Sequence, residues 1–302
     1  MTRMAAVAGI LGTSFSAIFM RLAEPSPATG AFWRAAYAVP VLLVAWLIVR
    51  KRDDRDRRAR VLAFVAGVIL AVDLMVWQTS IDRIGAGLSV VLANAQVVFV
   101  GGFAWLLHRE RPTTTALATV PVVILGVVMI SGLGRADSYG SDPILGAILG
   151  LVTALTYAAF LLLFRQSNRR HLAPAPGPLL DATLGAVVGS LALGFLDPEF
   201  TLAFSWPQHG WLIGLGLLIQ SFGWLMITIA LPRLAALETS VLLLLQPMLT
   251  LVWARLIFAE ALSTVQWLGV AVVLGGILVL ARRGMIRPAE VTPASATSSP
   301  GS

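Results

Sequence analysis

The chain has 302 residues, none of them cysteine, and only 12% of them charged. Without cysteine there is no disulfide framework, no thiolate nucleophile and no cysteine-based metal site. A soluble domain carries roughly 25% charged residues, so a charge content of half that value excludes an ordinary water-facing surface. The three histidines lie near the ends of apolar runs and do not cluster. A glycine-rich phosphate loop, a His-Glu-x-x-His helix and a Gly-x-Ser-x-Gly elbow are all missing, so no catalytic set is visible and neither enzyme, metal nor cofactor is expected. A scaffold or receptor subunit would carry a sizeable soluble domain or a long loop, and neither is present.

What is present is apolar. Hydrophobic residues make up 58% of the chain, and the mean hydropathy is +0.86. Ten apolar stretches can be marked off at roughly 4–21, 31–50, 61–81, 86–107, 114–133, 144–165, 178–196, 209–230, 236–257 and 263–281. Each is long enough to cross a hydrocarbon core of about 30 Å as a helix. The strict alternation that a transmembrane barrel strand requires does not run through them. The first stretch, after Arg3, is read as a retained helix and not a signal peptide, because no small-residue cleavage site precedes the turn Glu24-Pro25-Ser26-Pro27.

A net charge of +7 and a pI near 11.1 would suit nucleic acid, but the placement of the charge argues for topology. With the N-terminus inside, the cytoplasmic segments take Arg3, the run from Arg50 to Arg60, Arg109, Arg111, Arg165, Arg169, Arg170, Arg233, Arg282, Arg283 and Arg287. Those segments hold 17 of the 22 basic residues, leaving Arg21, Arg34, Arg83, Arg135 and Arg255 at or near the outer ends. This bias sets both termini in the cytoplasm of a cell inner-membrane protein, with lipid as its surroundings and no nucleic-acid partner.

The segment Leu231–Arg283 has an ungapped echo 150 positions earlier, at Ile81–Leu133. Arg83 pairs with Arg233, Gln96 with Gln246, Glu110 with Glu260 and Gly126 with Gly276. Such polar matches do not arise from apolar composition alone, so the chain reads as two homologous halves, a build found in many secondary transporters. The expected organisation is a five-helix repeat at 1–135, a second at 140–283 and a disordered cytoplasmic tail at 284–302. Five is an odd number, so the two repeats cross in opposite senses. The fold class is therefore an all-α integral membrane protein of ten transmembrane helices in two inverted five-helix repeats.

Polar side chains inside spans mark candidate sites, because each is costly there without water or a partner. Asp73 stands four residues before Trp77 and shares its helical face. Gln220 stands four before Trp224 in the eighth span. Gln96 in the fourth span and Gln246 and Thr250 in the ninth complete this polar set, and Tyr157 of the sixth joins it. Thr13 and Ser16 in the first span and Thr153 and Thr156 in the sixth lie three apart, a spacing that also suits hydroxyls bonded back to their own helix. Trp33 and Arg34 read as anchors at the outer interface. Glu110 and Glu260 sit at helix junctions, where capping is the expected role. Pro247 removes a backbone donor and predicts a bend or a free carbonyl at mid-membrane.

The segment Trp77–Ser89, the Arg-Glu-Arg-Pro break, Gly126, Arg233-Leu-Ala-Ala, Leu245-Gln-Pro247, Phe258-Ala-Glu260 and Trp267-Leu-Gly269 resemble the paired EamA domains of the drug/metabolite transporter superfamily. The resemblance spans roughly residues 5–283. It implies alternating access to a small-molecule substrate by a single chain, and ten-helix proteins of this size are similar to YddG-type amino-acid exporters. The pattern often has proline where this chain has Val97. Multidrug or cationic-drug efflux and nucleotide-sugar or sugar-phosphate antiport are the alternatives. The last would need a cationic cluster at mid-membrane.

Overall fold

The structure is a computed structural model, and it describes residues 2–108, 113–133, 138–168, 174–230 and 236–283. Among these residues the chain is helical, with no strand. The helices are α1 (Thr2–Ser14), α2 (Ser16–Ala23), α3 (Pro27–Val49), α4 (Arg57–Ile84), α5 (Ala86–Ala93), α6 (Gln96–His108), α7 (Thr114–Ser131), α8 (Pro143–Ser167), α9 (Pro176–Gly194), α10 (Gln208–Gly214), α11 (Trp224–Ala230), α12 (Ala236–Phe258) and α13 (Thr264–Arg283). A π-helical segment, Leu215–Gly223, joins α10 to α11.

Local chemistry sets the boundaries. Asp56 accepts the Ala59 amide at 2.7 Å and caps α4, Thr113 accepts that of Ala116 at 3.1 Å and caps α7, and Asp142 accepts that of Leu145 at 3.1 Å and caps α8. Proline occupies the first turn of α3, α8 and α9, where its missing N–H costs nothing. Among the described residues nine helical segments are long and apolar enough to span a membrane, and Leu242–Phe258 forms a shorter tenth. Some spans are composite. The first is interrupted at Phe15 between α1 and α2, and the fourth at Asn94–Ala95 between α5 and α6.

The second interruption arises where no proline stands. Pro247 lies inside an unbroken α12, while the helix that lacks the proline is the one that breaks. At the break the Asn94 side chain donates to the Val90 carbonyl at 2.8 Å, competing with the backbone. The Ala95 amide then bonds Leu92, three residues back, at 2.9 Å, which tightens the turn.

The halves are inverted and interleaved. Glu260, beyond the end of α12, meets the start of α5 just after Arg83, so the corresponding spans of the two halves run in opposite directions. The most extensive packing pairs α4 with α8 and α9, α3 with α9, and α7 with α13. Small residues allow this close approach. A Cβ on Gly67 would overlap the Ala182 carbonyl of α9, and one on Gly185 would overlap the Phe64 carbonyl of α4. Gly126 and Gly269 bring α7 and α13 together in the same way, a Cβ on Gly269 falling 2.8 Å from the Gly126 carbonyl oxygen. The expected tail at 284–302, the Arg-Glu-Arg-Pro break with Glu110, and Arg233 lie outside the described residues.

Candidate functional site

A cavity of about 540 Å³ lies between the halves, lined from α1, α2, α3, α4, α5, α6, α8, the π-helix, α11, α12 and α13. That volume suits a small solute. Six of the sequence-predicted residues line it: Asp73, Trp77, Gln96, Tyr157, Trp224 and Gln246. Thr13, Ser16, Asn94 and Thr153 add polar groups, and Leu70, Leu74, Val90 and Leu161 are among the apolar ones. The lining continues to Leu280 and Ala281, at the C-terminal end of α13.

Two expected residues stand behind the wall. Gln220 Oε1 accepts a hydrogen bond from Arg34 Nε at 3.0 Å. Thr250 bridges spans one and nine, its hydroxyl lying 2.9 Å from the Ser14 carbonyl and 3.0 Å from that of Gln246. The interruption at Phe15 places the Ser14 carbonyl where Thr250 can reach it. Ser14 is held a second time through its hydroxyl, 3.1 Å from the Trp253 indole N–H.

The main correction concerns Arg34. Counted from its apolar run near residue 31, the second span predicts Arg34 at the interface. Helix α3 starts at Pro27, so Arg34 lies two turns inside, about 10 Å along the axis at 1.5 Å per residue. It is 6% exposed, lines the cavity and donates from Nη1 to Ser16 Oγ at 3.0 Å. Its Cζ lies 6.0 Å from the centroid of the Trp77 ring. The sequence held one usable signal for this depth: the Ser26-Pro27 pair, a helix start four residues before the apolar run begins.

Asp73 is 4% exposed and its Oδ1 lies 2.7 Å from the Thr156 hydroxyl on α8. It thus links two helices while facing the cavity. Tyr157, the next residue along α8, packs edge-on to Trp224 at 6.4 Å between ring centroids, and Phe160 approaches the same indole at 5.7 Å. Gln96 Oε1 and Thr153 Oγ1 are buried without a hydrogen-bond partner among the described residues.

At the α4–α5 junction a buried carboxylate ties the two halves together. Glu260 is fully buried, accepts the amides of Ala86 at 2.8 Å and Gly87 at 3.2 Å, and forms an ion pair with Arg21. Capping is therefore its role, but the capped helix is α5 of the other half. Burial pushes the Glu260 carboxyl above its usual range, with the Ala86 amide and Arg21 acting against that rise. The Arg21 guanidinium also lies 4.3 Å from the Phe258 ring. At the opposite end, Arg55 joins Asp53 to Asp181 of α9, each at 2.8 Å. The hydrogen-bonded Arg55 holds the Asp53 carboxyl at about 2.

The sequence profile of the EamA-like transporter family matches residues 3–132 and 144–282. The chain belongs to that family. It is a multi-pass membrane protein with one family unit in each matched segment. Two uncharacterized transporters of Archaeoglobus fulgidus are similar to it: one is 25% identical over 58% of this chain and 59% of its own length, the other 26% identical over 66% and 69%. An uncharacterized transporter of Synechocystis sp. is 23% identical over 72% of this chain and 65% of its own length. The match therefore spans less than two thirds of two of these relatives. A crystal structure with 17% sequence identity superposes with a TM-score of 0.62 over 93% of this chain and 98% of the other, a likeness of fold.

Proposed function

We propose that this EamA-like transporter exports small solutes, amino acids first among them, across a cell inner membrane by alternating access, as YddG-type exporters do. In this reading both termini are cytoplasmic, a single chain is the working unit, and the two family units correspond to repeats at 1–135 and 140–283. The observation that carries it is the cavity between the halves, where one buried cation, one buried carboxylate, amides, hydroxyls and indole rings face a space of about 540 Å³. A compact zwitterion satisfies both charges at once, and the apolar walls accept varied side chains. With the cytoplasmic ends placed by the positive-inside bias, the lining down to Leu280 and Ala281 leads inward, while Arg21 and Glu260 tie the halves together at the outer end. This corresponds to an inward-facing state.

Cationic-drug efflux is the second reading, favoured by Trp77 and Trp224 beside Asp73. Nucleotide-sugar or sugar-phosphate antiport stays weaker, because Arg34 is the one basic residue among those lining the cavity. Proteoliposomes loaded with unlabelled amino acid should accumulate labelled amino acid by exchange. Exchange of cationic dyes with none of any amino acid would replace the first reading by the second.

A further inference from the structure

Arg34 is a buried cation with no carboxylate in direct contact; Asp73 attracts it without forming an ion pair. Its Nε and Nη1 donate to Gln220 Oε1 and Ser16 Oγ, both at 3.0 Å and both neutral. Among the described residues it forms no ion pair with any Asp or Glu, and its Nη2 donates no hydrogen bond. A guanidinium withdrawn from water is costly unless a carboxylate or a comparable anion compensates it, and a purely structural arginine in a bundle is normally paired in that way. Here two neutral acceptors on separate elements, α2 and the π-helix, fix the plane of the guanidinium. Its remaining donors are left for something that arrives through the cavity it lines.

The other charge in the lining has the complementary arrangement. Asp73 takes one hydrogen bond, from Thr156, and is attracted by Arg34 without an ion-pair contact. It stands one helical turn from Trp77, whose ring lies 6.0 Å from the Arg34 guanidinium carbon. The cavity thus presents one fixed positive and one fixed negative group, each satisfied only in part and each supported from behind.

We propose that Arg34 is the anchor for the carboxylate of the transported solute, oriented by Gln220 and Ser16, and that Asp73 receives the solute's ammonium group. The assignment rests on the amino-acid reading above and deepens it, since it makes the free carboxylate a condition of binding. An arginine fork gives a carboxylate directional, charge-assisted hydrogen bonds that backbone dipoles alone do not supply. A lipophilic monocation would leave Arg34 uncompensated and face its repulsion. A polyanion would exceed the single positive charge.

Thermal-shift titration of the purified full-length protein tests this with three related probes, phenylalanine, phenethylamine and 3-phenylpropanoate, alongside a panel of standard amino acids and inorganic phosphate. Wild type should bind amino acids, and each phenyl compound lacking one charge should bind less tightly than phenylalanine. Arg34→Gln should weaken phenylalanine and 3-phenylpropanoate by on the order of tenfold to a hundredfold, while phenethylamine, relieved of the repulsion, binds at least as tightly as before. Asp73→Asn should weaken phenylalanine and phenethylamine and spare 3-phenylpropanoate. If Arg34→Gln does not give folded protein, Arg34→Lys and Gln220→Leu are read instead. Both keep a cation and should weaken the acids without weakening the amine.

Amino-acid binding that is the same in Arg34→Gln and wild type overturns the anchor and leaves the amino-acid reading standing. Binding of 3-phenylpropanoate that depends on Arg34, with no amino acid bound by wild type, does the reverse. Binding of phosphate alone, of the amine alone or of none of the probes overturns both.

Discussion

Glu260 and Gly87 stand 173 positions apart in the sequence, yet Oε2 of the first accepts the backbone N–H of the second at 3.2 Å. The other carboxylate oxygen takes the Ala86 amide, so one buried side chain satisfies two of the unpaired donors that open α5. The repeat alone identified Glu260 as a junction residue. Its partner could not be read from periodicity, which tells which face a residue occupies and not which neighbour meets that face.

Replacing Glu260 by Gln removes the charge that faces Arg21 and weakens the hold on the two amides. The expected cost is about 1–3 kcal/mol, read as a lowered melting temperature in detergent. Because the contact ties the halves together beside Tyr139, a cysteine introduced in place of Tyr139 should react faster with a thiol reagent in the Glu260→Gln background. Equal reaction rates would show that other contacts hold the halves together there.

Single cysteines at positions 83 and 233 test the inversion directly, since the chain has none of its own. The two should label with an impermeant reagent from opposite sides of the membrane. Labelling from one side would contradict the antiparallel halves.

Gln246 is a half-buried amide in the cavity wall. Gln246→Ala should lower exchange in proteoliposomes roughly tenfold, the equivalent of about 1.4 kcal/mol, while the melting temperature changes little. A loss of stability with transport per folded molecule unchanged would make the amide a helix cross-link and nothing more.

Glycines divide sharply by surroundings. Gly67→Ala places a methyl group against the Ala182 backbone, whereas nothing lies within 4 Å of a Cβ on Gly275. Overpacking of this kind costs about 1–3 kcal/mol or more. Gly67→Ala should therefore melt well below wild type and Gly275→Ala close to it or above, since alanine favours the helix.

The Asp53 cluster predicts an acid limit. Its carboxyl faces Arg55, with Arg60 at 3.9 Å, the Trp46 indole N–H at 2.9 Å, and Asp181 across Arg55. A carboxyl held at about 2 against an ordinary 3.8 contributes stability that is fully present above the ordinary value and is lost as the pH falls through the folded one. The contribution is about 2 kcal/mol. Asp53→Asn should be less stable than wild type at neutral pH and should approach it as the solution is acidified toward pH 2. A constant gap across that range would assign the effect to packing.

Much of the architecture was legible because membrane spans are a matter of apolar length and because loop charge records orientation. Six predicted residues meet in one cavity because a polar side chain in a span has few places to go. The depth of Arg34 is hidden because the apolar run begins four residues after the helix does at Pro27. The break at Asn94 was hidden for a different reason: the competing bond is made by a side chain, and sequence rules for bends favour proline. The π-helix that carries Gln220 leaves no compositional mark, because its residues Leu215–Gly223 are those of any apolar span.

The interlocked crossing of α4 with α9 bears on what can move. Backbones that meet through Gly67 and Gly185 cannot slide past each other, and α3 and α8 pack onto the same pair. Those four helices form one closely packed group drawn from both repeats, so the packing does not divide along the two halves as the sequence orders them. The chain leaves this group for the other at Gly85, a single residue between α4 and α5 with φ of 91°. Any rotation of one group against the other is taken up at such crossings. At this one the pivot is a glycine, and Glu260 holds the lever on its far side.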